Sequence, residues 1–215
     1  MKRNIFGTTL IVLGVLSLLG AAGLLGYNLI EEREAGESAQ AVLQQIAPEV
    51  INRTPPKYED LQGSLPGSVP MTEIEIPNYI LNPQMDMPEK EYDGRSYVGV
   101  VAIPALNVEL PVLADWSRSG AKIAPCRYSG TAYLDNLVIC AHNYSSHFGR
   151  LNTLKTGELV YFTDMDGNLF TYEVVSFEIL QPNQIEEMCD EQWDLTLFTC
   201  TLGGRTRFTI RCEKI

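Results

Sequence analysis

The stretch Thr196-Leu197-Phe198-Thr199-Cys200 decides the reading of this chain. Leu195 to Thr199 is a short run of aliphatic, aromatic and β-branched residues, the composition of a buried strand, and it ends on a cysteine. Six residues follow, Thr201-Leu202-Gly203-Gly204-Arg205-Thr206, with a Gly-Gly pair suited to turning the chain. Arg207-Phe208-Thr209-Ile210-Arg211-Cys212 then alternates polar and apolar at period two. The expected product is a hairpin with a thiol ending one strand and a guanidinium opening the next. Upstream, Leu137-Val138-Ile139-Cys140-Ala141 is another apolar strand that runs directly into His142. A cysteine, a histidine and an arginine, each at a strand end, are the parts that thiol acyl transfer requires.

These residues resemble the sortases, the cysteine transpeptidases of Gram-positive cell surfaces. The family's Thr-Leu-x-Thr-Cys strand is matched at 196–200, its arginine at Arg207 and its strand-ending histidine at His142, over about residues 92–215 in the same order. Ala141 stands where a glycine often precedes the family's histidine. The resemblance implies an eight-stranded β-barrel with short helices. It also implies cleavage of a C-terminal sorting signal of the Leu-Pro-x-Thr-Gly type. Cys200 is then the nucleophile, His142 the acid and base, and Arg207 the stabiliser of the tetrahedral oxygen. The partners implied are surface proteins bearing that signal and an amine from a cell-wall precursor or a pilin. The chemistry needs no cofactor, and no metal ligands are assigned.

The residues narrow the competition within each type. A free cysteine with the ordinary pKa of about 8.5 is only a few per cent thiolate at pH 7, so a nearby cation is needed to raise that fraction. Cys140 and Cys212 lie inside apolar strands, where buried free thiols are ordinary, and Cys126 and Cys189 show no metal-type spacing. No structural disulfide is expected. Of the two histidines, His147 sits in a polar Ser-Ser-His stretch and is expected to face solvent or cap a turn. Of the nearby arginines, Arg205 belongs to the turn and is the alternative to Arg207, while Arg211 reads as a solvated strand-edge residue. Asp164-Met165-Asp166-Gly167-Asn168 looks like the start of a calcium loop. Position twelve would be Val175 rather than a glutamate, however, so a hairpin turn is expected.

Ile5 to Ile30 is 26 residues without a charge. As a helix it extends roughly 39 Å, more than a hydrocarbon core of roughly 30 Å. It also exceeds the apolar core of a removable leader, although Gly20-Ala21-Ala22 resembles a cleavage site. A retained single-pass anchor is therefore expected, with residues 1–4 cytoplasmic and the remainder extracytoplasmic, because Lys2 and Arg3 precede the span and Glu31-Glu32-Arg33-Glu34 follow it. Residues 31–47 favour a helix that Pro48 should end. Residues 48–91 carry eight of the twelve prolines and read as an extended spacer, with Asp86-Met87-Pro88 a weak echo of the lids of pilus-building sortases. From residue 92 the strands are expected near 96–103, 107–113, 122–128, 137–141, 158–163, 168–179, 195–200 and 206–212. A helical turn is expected over 147–154 and a helix over 184–192.

The formal charge is −11, and since Lys2 and Arg3 are the only charges before residue 31, residues 31–215 carry −13. Such an acidic body argues against a nucleic-acid partner. Two other functions compete: a surface cysteine peptidase, which would use the same residues with water in place of the amine, and a non-catalytic peptide-binding barrel, which would need none of the three.

Overall fold

The computed structural model describes residues 5–51 and 76–215. Among the described residues, nine strands follow two helices: β1 (Lys90–Tyr92), β2 (Arg95–Ile103), β3 (Val108–Leu113), β4 (Cys126–Ser129), β5 (Leu137–Cys140), β6 (Leu159–Asp164), β7 (Leu169–Leu180), β8 (Leu195–Cys200) and β9 (Arg207–Lys214). The sheet order is β1-β2-β3-β4-β5-β8-β9-β7-β6, and pairing of β6 back onto β2 closes the eight strands β2–β9 into a barrel. The eight strands expected from the sequence are these eight, except that the one expected over 122–128 begins only at Cys126, after a 3-10 turn at Gly120–Lys122. β1 is an additional edge strand, joined to β2 by Asp93-Gly94, both at positive φ.

Closure depends on Gly99. It pairs with Val112 on one side and Asp164 on the other, next to an irregularity in β2. A Cβ here would lie 2.3 Å from the Thr163 carbonyl and 2.6 Å from the Phe162 ring, so only glycine lets the two edges meet. Alternation then fills the interior: Leu195, Leu197, Ile210, Cys212, Val160, Phe162, Tyr172 and Val174 are fully buried in one core. The five cysteines are free thiols. The Asp164 turn is a hairpin between β6 and β7. The buried Asp164 carboxylate accepts from the Asp166 and Asn168 amides (2.9 Å each), Asn168 Nδ2 (2.7 Å) and the Tyr133 hydroxyl (2.7 Å).

Helix α1 (Ile5–Ile51) departs from expectation, since it passes through Pro48 without ending. A proline removes one amide donor, and here packing sustains the helix: Val42, Leu43 and Ile46 are buried in a cluster with Tyr97, Val100 and Leu113. Three such side chains contribute about 1.5–3 kcal/mol each. The half of α1 beyond the apolar run is therefore part of the folded body.

The expected spacer over 48–91 falls largely outside the described residues. Its described end is not extended linker. In α2 (Asn78–Leu81), Tyr79 stacks on Tyr133 with ring centroids 4.8 Å apart, and Met87 is buried in the main core. Too few apolar residues lie here to suggest a core by composition, but two well-placed ones suffice to dock the segment. The helix expected over 184–192 is a single turn, α3 (Ile185–Met188), and the turn expected over 147–154 is a 3-10 turn at Leu151–Thr153.

Candidate active site

β5 and β8 are parallel neighbours with Cys140 opposite Phe198, so both strands finish at the same end of the barrel. Each leads straight into a residue singled out above, His142 after β5 and Cys200 at the close of β8. β8 and β9 are antiparallel with Cys200 directly opposite Arg207. All three side chains line one cleft of about 500 Å³, together with Trp116, Tyr128 and Met188. The topology thus gathers at one rim what the sequence separates by 58 and 65 positions.

The rim is braced by hydrogen bonds. The Thr199 hydroxyl donates to the Ala141 carbonyl (2.9 Å), and the Ala141 amide donates to the Phe198 carbonyl (3.2 Å). These join the residues immediately before Cys200 and His142. The turn after Cys200 is closed by the Thr201 amide on the Thr206 carbonyl (3.0 Å) and by the two threonine hydroxyls (2.8 Å), with Gly203 and Gly204 supplying positive φ. Arg207 Nη1 donates to the Gly204 and Thr206 carbonyls at 3.1 Å each, which orients the guanidinium along the turn. Arg205, the alternative, is exposed on that turn and does not line the cleft.

His142 is half-buried. Its ring stacks on Tyr144 at 4.1 Å, its amide donates to the Ala121 carbonyl (3.2 Å), and Nδ1 is buried without a hydrogen-bond partner. Burial pushes its pKa below the ordinary value, repulsion from Lys122 adds to this, and the Glu31 carboxylate opposes it. The resting imidazole is thereby biased towards the neutral form. Lys122 and Tyr144 had no signal in the sequence, because what makes them matter is α1. Glu31 accepts from Lys122 Nζ (3.0 Å) and the Tyr144 hydroxyl (3.4 Å), and Glu32 accepts from the Ser145 amide (2.6 Å) and hydroxyl.

Two expectations fail here. His147 does not face solvent: it is 0% exposed, with neither ring nitrogen hydrogen-bonded. Its polar neighbours Ser145 and Ser146 meet α1, and Gly36 lets the helix approach so closely that a Cβ there would lie 3.2 Å from Ser146 Cβ. Burial lowers the His147 pKa to about 4. The Ala35 backbone pulls the other way, though no hydrogen bond joins it to the ring. Arg211 is likewise not solvated. It is 1% exposed, paired with Glu178 at 2.8 Å, and it donates to Thr196 Oγ1 (2.9 Å) and the Met188 and Glu187 carbonyls. Arg207 and Arg211 share a strand face, but α3 and its flanks cover only the second.

A family model for the sortase domain matches residues 101–215. A sortase A from Bacillus anthracis is 29% identical over 116 residues, covering 50% of this chain and 54% of that protein. The chain thus spans about half the length of the curated relative it matches. Among solved structures, sortase C1 of Streptococcus agalactiae superposes with a TM-score of 0.50 at 21% identity, covering 58% of this chain and 70% of that one. A type I crystal structure of the same sortase C1 gives 0.50 at 24% identity, with 55% and 69% covered. At these identities the two structures speak to the fold alone.

Proposed function

This chain belongs to the sortase family, and on that premise we propose that it is a membrane-anchored cysteine transpeptidase in which Cys200, His142 and Arg207 perform the chemistry. The observation that carries the proposal is the meeting of these three side chains, from β5, β8 and β9, in one braced cleft.

Neutral His142 takes the proton of the Cys200 thiol, and the resulting thiolate attacks the scissile carbonyl of a C-terminal sorting signal of the Leu-Pro-x-Thr-Gly type. The carbonyl oxygen of the tetrahedral intermediate takes the negative charge, and Arg207, held by the turn carbonyls, donates hydrogen bonds to it. Protonated His142 gives its proton to the departing amine, and a thioester to Cys200 remains. An incoming amine, from a cell-wall precursor or a pilin lysine, loses its proton to His142 and attacks the thioester. Collapse of the second intermediate expels the thiolate and forms the new amide. Bonds and protons balance without a cofactor.

The apolar run of α1, uncharged from Ile5 to Ile30, supports a single-pass anchor holding the barrel outside the cytoplasm. The described part of the spacer contributes no lining to the cleft. Its contact with Tyr133, which precedes β5, lies at the opposite end of the barrel.

A peptidase would use the same three residues with water as acceptor. Incubation of the full chain with a sorting-signal peptide, with and without a primary amine such as triglycine, separates the two. The transpeptidase reading predicts an amide conjugate that grows with amine concentration at the expense of the free acid. Free acid alone at every amine concentration would refute it.

A further inference from the structure

The point where α1 leaves its apolar run is also the point where it meets the candidate active site. Ile30 closes the uncharged stretch, and the next residue, Glu31, holds Lys122 and Tyr144 beside His142. Contacts further along α1 lie progressively away from the span. Gln40 Nε2 donates to the Glu109 carbonyl (3.3 Å) from nine residues on, roughly 13 Å further along the axis. The cleft end of the barrel is therefore the end nearest the apolar helix. Strand direction agrees. β5, β8 and β7 all run the same way, since β7 and β8 are both antiparallel to β9, and all three finish at the cleft end. The Thr201–Thr206 turn projects beyond them.

What this end exposes is unusual for an acidic body. Leu202, at the tip of the turn, is 95% exposed, and Ile185 and Trp116 on the cleft rim are 54% and 52% exposed. Arg118 and Arg205 lie exposed on the same loops, as do Asp115 and Glu186. Three large apolar side chains thus stand exposed among nearby charges of both signs, Arg118 and Arg205 against Asp115, Glu186 and Glu187.

We propose that this rim, centred on Leu202, Trp116 and Ile185, is a membrane-contacting face that rests in the headgroup layer of the bilayer spanned by α1. The proposal rests on the reading of α1 as an anchor and adds to it a fixed orientation. Because α1 continues unbroken from the span into its packed half, it leaves no hinge between membrane and barrel. The headgroup layer is roughly 5–8 Å deep on each side, the level that tryptophan favours and that a residue directly after the span occupies. The cleft then opens at the bilayer surface, and a substrate's scissile bond must be presented there rather than out in solution.

Trp116 and Trp193 provide a ruler, being the only tryptophans in the chain. Trp193 precedes β8, at the barrel end away from the cleft. The full chain is reconstituted into vesicles of phosphatidylglycerol and phosphatidylethanolamine carrying a nitroxide either close below the headgroups or deep in the acyl chains. Vesicle flotation first establishes insertion. Trp193→Phe, which leaves Trp116, should lose emission with the shallow nitroxide and much less with the deep one. Trp116→Phe, which leaves Trp193, should be unaffected by either. Leu202→Trp in a background lacking both natural tryptophans should follow Trp116. If the chain floats but Trp116 and Leu202→Trp are quenched no more than Trp193, the membrane-facing rim is refuted while the anchor stands. If the chain does not float, the anchor reading and this proposal fall together.

Discussion

The Thr199 hydroxyl donates to the Ala141 carbonyl at 2.9 Å, and this one bond ties the residue before Cys200 to the residue before His142. A strand cysteine and a strand-end histidine can work together only if two parallel strands hold a fixed register at their last residues. Thr199→Val keeps the shape and deletes the donor. It should cost about 1–3 kcal/mol of stability because a buried carbonyl loses its partner. Turnover should fall further than folding does, by roughly 10- to 100-fold in kcat, because small misplacements of reacting groups are expensive. Unfolding and kinetics measured on the same preparation test this, and an unchanged kcat would contradict it.

Arg207 and Arg211 should separate function from stability. Arg207→Ala removes a half-exposed guanidinium held by two turn carbonyls and should leave unfolding little changed. We expect it to lower kcat by about 10²–10³-fold, the scale of losing one oxyanion donor. Arg211→Ala strands Glu178, Thr196 and two carbonyls around a buried hole and should cost about 3–5 kcal/mol. Equal thermal shifts for the two variants would show that the buried and cleft-lining roles have been confused.

His147 gives the fold an acid sensitivity. The unfolded chain protonates this imidazole near pH 6.5, whereas the folded chain holds it neutral down to about pH 4. Protons therefore favour the unfolded state. The stabilisation is complete above pH 6.5, declines as pH falls through the interval, and is gone below about 4, a total of about 3 kcal/mol. His147→Leu should flatten the unfolding profile between those limits. An unaltered slope would mean that the imidazole is not buried between the 144–149 loop and α1.

His142 should respond to the pair beside it. Lys122 lowers its pKa and Glu31 raises it, both acting on a value that burial has already reduced. Lys122→Met should therefore move the acid limb of kcat/KM to higher pH, and Glu31→Gln should move it lower. Shifts in the same direction for both variants would argue against an electrostatic origin.

These roles show what the sequence discloses and what it conceals. Alternation and turn chemistry carry information about a strand's own faces, which is why β2–β9 and the Cys200–Arg207 pairing were legible. They carry none about what a distant segment lays over a face. Arg211 follows the same alternation as Arg207 but lies under the α3 connection, whose carbonyls receive it. His147 stands among serines that suggest solvent, yet those serines are the polar partners of α1. Residues 31–47 read only as a helix beyond a membrane span, whereas the small size of Ala35, Gly36 and Ala39 is what allows α1 to approach the loop. Tyr79 and Met87 were hidden by the prolines around them.

The central claim is that Cys200 carries the acyl group, and intact-mass analysis of the trapped enzyme tests it most directly. The full chain in detergent is mixed with a set of sorting-signal peptides, without added amine, and quenched in acid to preserve thioesters. Wild type should gain the mass of the cleaved acyl fragment, His142→Ala should gain it far more slowly, and Cys200→Ala should gain nothing. An adduct that persists in Cys200→Ala, or peptide cleavage at the wild-type rate in that variant, would contradict the account.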